Sequence, residues 1–288
     1  MYAGKAIAIT GAGAGIGRAL TLQLAARGGD VFALDRDEQA LTALVEDAAK
    51  FGHTVYPVVG DVMHSGDLES LRDKALATKQ RLDIWINNAG VAGLGGFLEQ
   101  GEASFERVLD IDLRALVRGT RLALETMEQV GSGWIVNMAS VAGRVPAPYM
   151  TAYATAKHAV IGFTRSLQAE LRQNDSLVRL ALVCPGFVDT SIIARGQELG
   201  FPEWLSFMLA TPDGVARAVI RGLEKSDEEI WPTWNGKLMK NFYGLFPGAT
   251  VASSRMLLAR DWKDLLQRRT RIRGPSPVPE APKTNELK

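Results

Sequence analysis

Tyr153 and Lys157 stand four residues apart in the segment YATAK, a spacing that puts both side chains on one face of a helix. A phenol titrates near ~10 and is a poor base at neutral pH, but a neighbouring ammonium stabilises the phenolate and lowers that value. Thirteen residues upstream, Ser140 closes the apolar run VNMAS. That predicts a serine at the carboxyl edge of a sheet, where open α/β folds bind ligands. A hydroxyl that holds a substrate oxygen beside a phenol that exchanges its proton is acid–base chemistry for an alcohol or a carbonyl. The chain has three histidines, His53, His64 and His158, to compete for that role. His158 follows Lys157 but points to another side of the helix and is expected to be structural. Ser140 lies in no G-x-S-x-G elbow, because Met138 occupies the position two before it.

A second cluster lies near the start. TGAGAGIG follows the apolar run AIAIT and opens an amphipathic segment, so a dinucleotide pyrophosphate could rest on a helix N-terminus there. The spacing is G-x-x-x-G-x-G, with Gly11, Gly15 and Gly17, and Ile16 inside it; it is not a P-loop, since no Gly-Lys-Ser/Thr follows. Asp35 ends the next apolar run, 18 residues after Gly17, close to the offset of an acid that accepts both adenine-ribose hydroxyls. This favours NAD. Arg36 beside it could pair with a 2′-phosphate, which keeps NADP as the alternative.

These residues need a scaffold, and the pattern of the chain supplies one. Apolar strands are expected at Ala6–Thr10, Val31–Asp35, Thr54–Val59, Asp83–Asn88, Gly133–Ser140 and Leu177–Cys184, separated by helices at Gly15–Gly28, Asp37–Gly52, Ser65–Lys79, Ser104–Met127 and Thr151–Gln173. Alternating strands and helices with right-handed crossovers make an α/β doubly wound parallel sheet, a three-layer αβα Rossmann fold. Beyond it a helix is expected over Pro212–Lys225, with Thr211 as N-cap and Pro212 in its first position, then a short strand at Glu229–Pro232. The expected division is a catalytic domain over 1–235 with a lid at about 191–210, a helical C-terminal extension over 236–273, and a disordered, Pro-rich tail over 274–288.

Composition narrows the function classes. The 288 residues carry 33 Lys+Arg against 32 Asp+Glu, a net charge of +1, which argues against a nucleic-acid partner held by bulk charge. One cysteine, Cys184, excludes an intrachain disulfide and, with three histidines, speaks against a metal site; it is expected to act as a small hydrophobe. The longest uncharged stretches are broken by Gly and Asn, and MYAGKAIAIT lacks signal-peptide anatomy, so a cytoplasmic protein is expected.

The motifs together resemble the short-chain dehydrogenase/reductase family: TGAGAGIG, GDV at 60–62, NNAG at 87–90, Ser140 with YATAK, and PGFVDT at 185–190, in that order. The resemblance covers about residues 4–195. It implies Tyr153 as general acid/base, Lys157 lowering its pKa and binding the nicotinamide ribose, and Ser140 orienting the substrate. It also implies Asp61 and Val62 beside adenine, Asn87 with Gly90 at the adenosine ribose, and Val188 and Thr190 at the carboxamide. One position departs from the family: VLDIDLRAL carries Asp112 where the family often has an Asn that holds a relay water. Asp112 can still accept from water but cannot donate when ionised, so a weaker relay role is expected of it, and a solvated one of Asp110.

The glycine-rich final strand of many family members is missing. In its place EEIWPTWNGKLMKNFYGLF and the residues after it offer an apolar face from Phe242, Tyr243, Leu245, Phe246, Met256 and Leu257, and a basic end from Lys263 to Arg273. A homodimer or homotetramer contact or a pocket wall is the leading expectation, with a membrane-surface contact through this basic extension as the weaker one. Val91–Phe97, Ala142–Met150 with Tyr149, and Ile192–Met208 should line the pocket. Being mostly apolar, they favour a small hydrophobic alcohol or ketone as substrate. The rival expectation is an NAD(H)-binding regulatory protein without turnover.

Overall fold

The computed structural model describes residues 1–189 and 209–248. Strands β1 (Ala6–Thr10), β2 (Asp30–Asp35), β3 (Val55–Val59), β4 (Ile84–Asn87), β5 (Gly133–Met138), β6 (Val178–Val183) and β7 (Glu229–Ile230) form one parallel sheet in the order β3-β2-β1-β4-β5-β6-β7. The order reverses between β1 and β4, so this is the doubly wound Rossmann arrangement with its ligand crevice at that switch. Helices cover both faces, which is why the central strands are almost uniformly apolar and buried.

The helices are α1 (Gly15–Ala25), α2 (Glu38–Ala49), α3 (Ser65–Lys79), α4 (Glu102–Leu109), α5 (Ala115–Glu128), α6 (Thr151–Gln173), α7 (Pro212–Glu224) and α8 (Trp234–Leu245). Local chemistry sets several starts: the side chains of Asp37, Thr211 and Thr233 each accept a backbone N–H of their own helix's first turn. Thr211 and Pro212 do at α7 what the sequence leads one to expect. One cluster, with Ile7, Ile9, Leu20, Leu24 and Val219, fills the α1/α7 side of the sheet. A second, with Phe32, Leu71, Trp85 and Met127, fills the α3/α5 side.

Three differences from the sequence reading matter for the site. The helix expected over Ser104–Met127 is interrupted by a π turn at Asp110–Arg114 between α4 and α5. Strand β5 stops at Met138, and Ser140 is instead the N-cap of a 3-10 turn at Val141–Gly143, its Oγ accepting from the Ala142 N–H. The expected boundary at residue 235 falls inside α8, whose start is fastened to the sheet end: Gly186 N–H donates to Thr233 Oγ1 at 2.9 Å, and Asn235 is fully buried. The rest of the expected helical extension from 249, the tail, and the lid except for its last two residues lie outside the described residues.

Candidate active site

The glycine loop is built for close approach. Gly11 and Gly15 have φ of +65° and +52°, a region costly for side chains with a Cβ. A Cβ on Gly11 would come within 2.7 Å of the Ala89 Cα, and one on Gly17 would overlap the Gly11 carbonyl oxygen. These glycines therefore hold the loop tight against β4 and leave the N-terminus of α1 open, with Ala14 providing no side-chain cap and no acid in the first turn. Such an end favours an anion. Asp35 reaches back to this loop: its Oδ2 accepts from the Gly13 N–H at 2.8 Å, and its Oδ1 from the Asp37 N–H at 3.0 Å. Arg36 is exposed beside it. The residues present thus fit a dinucleotide, which Gly11, Gly15, Ile16 and Gly17 would hold by its pyrophosphate and Asp35 by its ribose.

Next along the sheet edge, Asp61 Oδ1 accepts from the Met63 N–H and Val62 is buried. Arg118 of α5 donates to the Val62 and Met63 carbonyls at 3.4 and 3.2 Å, fixing this segment over α5. Asn87 needs a correction. Its side chain points into the protein: its Oδ1 accepts from Trp85 Nε1 at 2.7 Å, and its Nδ2 donates to Thr120 Oγ1 and Asn137 Oδ1. A ribose contact at this position would fall to the main chain. Asn88, which the sequence reading passed over, binds the loop instead, its Nδ2 donating to the carbonyls of Thr10 and Gly11 at 3.0 and 2.9 Å. Side chains of adjacent strand residues alternate in direction, and that alternation was the available clue.

The catalytic candidates converge at the ends of β4, β5 and β6. Ser140 and Lys157 are buried and Tyr153 is half-buried, packed with Val108 and Phe105. Lys157 Nζ donates to the Met138 carbonyl at 3.1 Å and lies 5.5 Å from the centre of the Tyr153 ring. Asp112, fully buried, joins them: its Oδ1 accepts from the Val91 N–H at 2.7 Å and its Oδ2 forms an ion pair with Lys157 Nζ at 3.0 Å. Gly90 lies directly over this carboxylate, since a Cβ there would meet Oδ2 at 3.0 Å. Asp110, two residues away, pairs on the surface with Arg114.

The electrostatics differ from the expectation at Tyr153. Burial pushes its phenol above the ordinary value and Asp112 adds to this; Lys157 and the hydrogen bond with Ser140 pull it down without reversing the outcome. Burial likewise raises the Asp112 carboxyl against the pull of Lys157. For Lys157 burial acts downward, but Asp112 and Tyr153 outweigh it and hold the ammonium up.

The remaining candidates are spread around this centre. Tyr149 adopts a left-handed φ of +63°, and its carbonyl accepts from the Gly95 N–H at 2.9 Å, tying the loop after β4 to the start of α6. On that loop Phe97 and Leu98 are exposed. Val188 is buried and bridges to Ala210, while Thr190 lies outside the described residues. His158 is exposed, with Nδ1 near the Ala154 carbonyl, and burial pushes the Cys184 thiol up to about 12; both fit the structural roles expected of them. A cavity of about 660 Å³ opens between Arg144 and the α8 residues Lys240, Asn241, Tyr243, Gly244 and Leu245.

The family model described as short chain dehydrogenase matches residues 5–198. A curated relative, "Probable oxidoreductase EphD" of Mycobacterium tuberculosis, is 32% identical over 234 residues, which is 76% of this chain but 39% of that protein. The chain thus spans about two fifths of the length of that relative. Among solved structures, a short chain dehydrogenase/reductase from Burkholderia phymatum in complex with NAD superposes with a TM-score of 0.78 at 26% identity, covering 86% of this chain and 96% of that one. An actinorhodin polyketide ketoreductase variant with NADPH gives 0.74 at 25% identity, covering 80% and 97%. With two thirds of its length matched by the family model and its glycine loop, Ser140, Tyr153 and Lys157 gathered at the sheet edge, the chain belongs to the short-chain dehydrogenase family.

Proposed function

We propose that the chain is an NAD(P)-dependent oxidoreductase that interconverts a hydrophobic secondary alcohol and its ketone, with Tyr153 as the general acid/base. The observation that carries this reading is the meeting of Tyr153, Ser140 and Lys157 beside the switch between β1 and β4. When bound, the nicotinamide would supply or take up the hydride. Ser140 orients the substrate oxygen towards Tyr153, and Tyr153 gives or takes its proton. Gly11, Gly15, Ile16, Gly17, Asp35, Asp61, Val62, Gly90, Val188 and Thr190 are the residues proposed to hold the dinucleotide, with Arg36 at its outer rim. Asp35 supports NAD over NADP, because its carboxylate already faces the loop and would repel a 2′-phosphate. The exposed Phe97 and Leu98, on the loop that the Tyr149 carbonyl ties to α6, support a hydrophobic substrate.

The test is turnover of a panel of hydrophobic ketones and alcohols with NAD(H) and NADP(H). Tyr153→Phe should lose at least about a hundredfold in kcat, the usual scale of a general acid/base, while dinucleotide affinity stays within a few-fold. Turnover that survives this change would exclude Tyr153 from the role. Dinucleotide binding without turnover of any substrate would favour the regulatory reading.

A further inference from the structure

Lys157 sits in a place where an unpaired charge would be costly to bury. Its side chain is 4% exposed, and that of Asp112 is 0% exposed. Asp112 reaches it because the π turn at Asp110–Arg114 adds a residue to the helical turn and brings the carboxylate beneath Gly90 and Val91. Oδ2 faces the ammonium at 3.0 Å as a charge partner, without the alignment of a full hydrogen bond. A carboxyl and an amine that share one proton are neutral as a pair wherever that proton rests. An amide at position 112 would leave the ammonium's whole charge facing the phenol ring 5.5 Å away.

We propose that Asp112 is a positioning and charge-cancelling partner of Lys157, so that Tyr153 works beside a pair of no net charge. This deepens the reading of Tyr153 as acid/base and rests on it for its catalytic meaning. The groups that act on Tyr153 are Lys157 from α6, Asp112 from the π turn, the Ser140 hydroxyl beyond β5 and the Cys184 thiol beyond β6. Cys184 remains neutral through neutral pH, so Asp112 is the acid that offsets the ammonium. Asp112 then holds Lys157 in place rather than holding a relay water.

The experiment follows tyrosinate absorption against pH in the cofactor-free full chain, which has five tyrosines; subtracting Tyr153→Phe isolates the Tyr153 increment. In the wild type it should titrate no lower than an ordinary phenol. In Asp112→Asn it should move down by about one unit or more, as expected for a phenol beside an uncompensated ammonium. Adding Lys157→Met to Asp112→Asn should cancel that downward shift. An unmoved or more alkaline increment in Asp112→Asn would overturn the proposal. So would a wild-type increment below the ordinary phenol range, a result that does not depend on whether the variant folds. Because the readout needs no turnover, failure here is separate from failure of the catalytic reading, which the Tyr153→Phe rates decide.

Discussion

At the scale of single residues, the carboxylates of Asp35 and Asp112 have opposite surroundings. Asp35 is partly exposed and accepts two backbone N–H groups, so a ribose could reach it from the solvent side. Asp112 is sealed in and matched to one amine. A hydrogen bond to a charged group contributes roughly 1.5–3 kcal/mol. Asp35→Asn should therefore raise the KM for NAD by about ten- to a hundredfold, and raise that for NADP less or lower it. Steady-state kinetics with both cofactors measure this, and equal changes for the two would remove Asp35 from cofactor selection. Tyr153, Lys157 and the loop glycines were legible in the sequence because their types and spacings carry the chemistry. The partnership of Asp112 with Lys157 was not, since 45 residues separate them and only the fold makes them neighbours.

At the scale of elements, legibility followed the strength of the local signal. Helix α6 was expected and found at Thr151–Gln173, and the starts of α1, α3 and α7 also agree. The π turn left no compositional mark: VLDIDLRAL reads as ordinary helix, and the shift lies in which carbonyl each N–H chooses. NNAG pairs two identical residues, of which Asn87 is the last residue of β4 and turns inward while Asn88 fastens β4 to β1. Inside the sheet, Asn87, Asn137, Thr120 and Thr164 form a closed polar set linking β4 and β5 to α5 and α6. Asn87→Ala would strand buried donors and acceptors on its neighbours, each costing about 1–3 kcal/mol. Chemical denaturation should show at least that loss, and no loss would mean that these groups find other partners.

For the whole molecule, N- and C-terminal parts of the fold are tied together across one side of the sheet. Tyr2 is buried against α7, its hydroxyl donating to the Ile220 carbonyl at 3.0 Å, and Gln23 of α1 reaches Asp213. Burial, then the nearby Glu224, raise the Tyr2 phenol well above its ordinary value, against a smaller pull from Arg27; burial also pushes Cys184 up to about 12. Both are acids whose folded state holds the proton more tightly than the unfolded chain. The stability they contribute is complete below the unfolded values and is lost as pH rises through them. Unfolding free energy should therefore fall above about pH 9–10, where free thiols and phenols ionise, and Tyr2→Phe should flatten part of that slope. A profile unchanged by Tyr2→Phe would assign the alkaline loss elsewhere. Among the described residues no helix is long and apolar enough to cross a membrane. Helix α8 nonetheless leaves Trp234, Leu238, Phe242 and Leu245 exposed.

The closed polar set also bears on how the chain finds this arrangement. Strands β1, β4, β5 and β6 are short and mostly apolar, so apolar contact alone discriminates weakly between their alignments. Asn87 and Asn137 face each other only when β4 and β5 are in native register. A slip by one residue turns each side chain to the opposite face and leaves several amide and hydroxyl groups without partners in a dry interior. A misaligned pairing is thus disfavoured in free energy. The polar set therefore favours the native alignment of β4 with β5 over its one-residue alternatives.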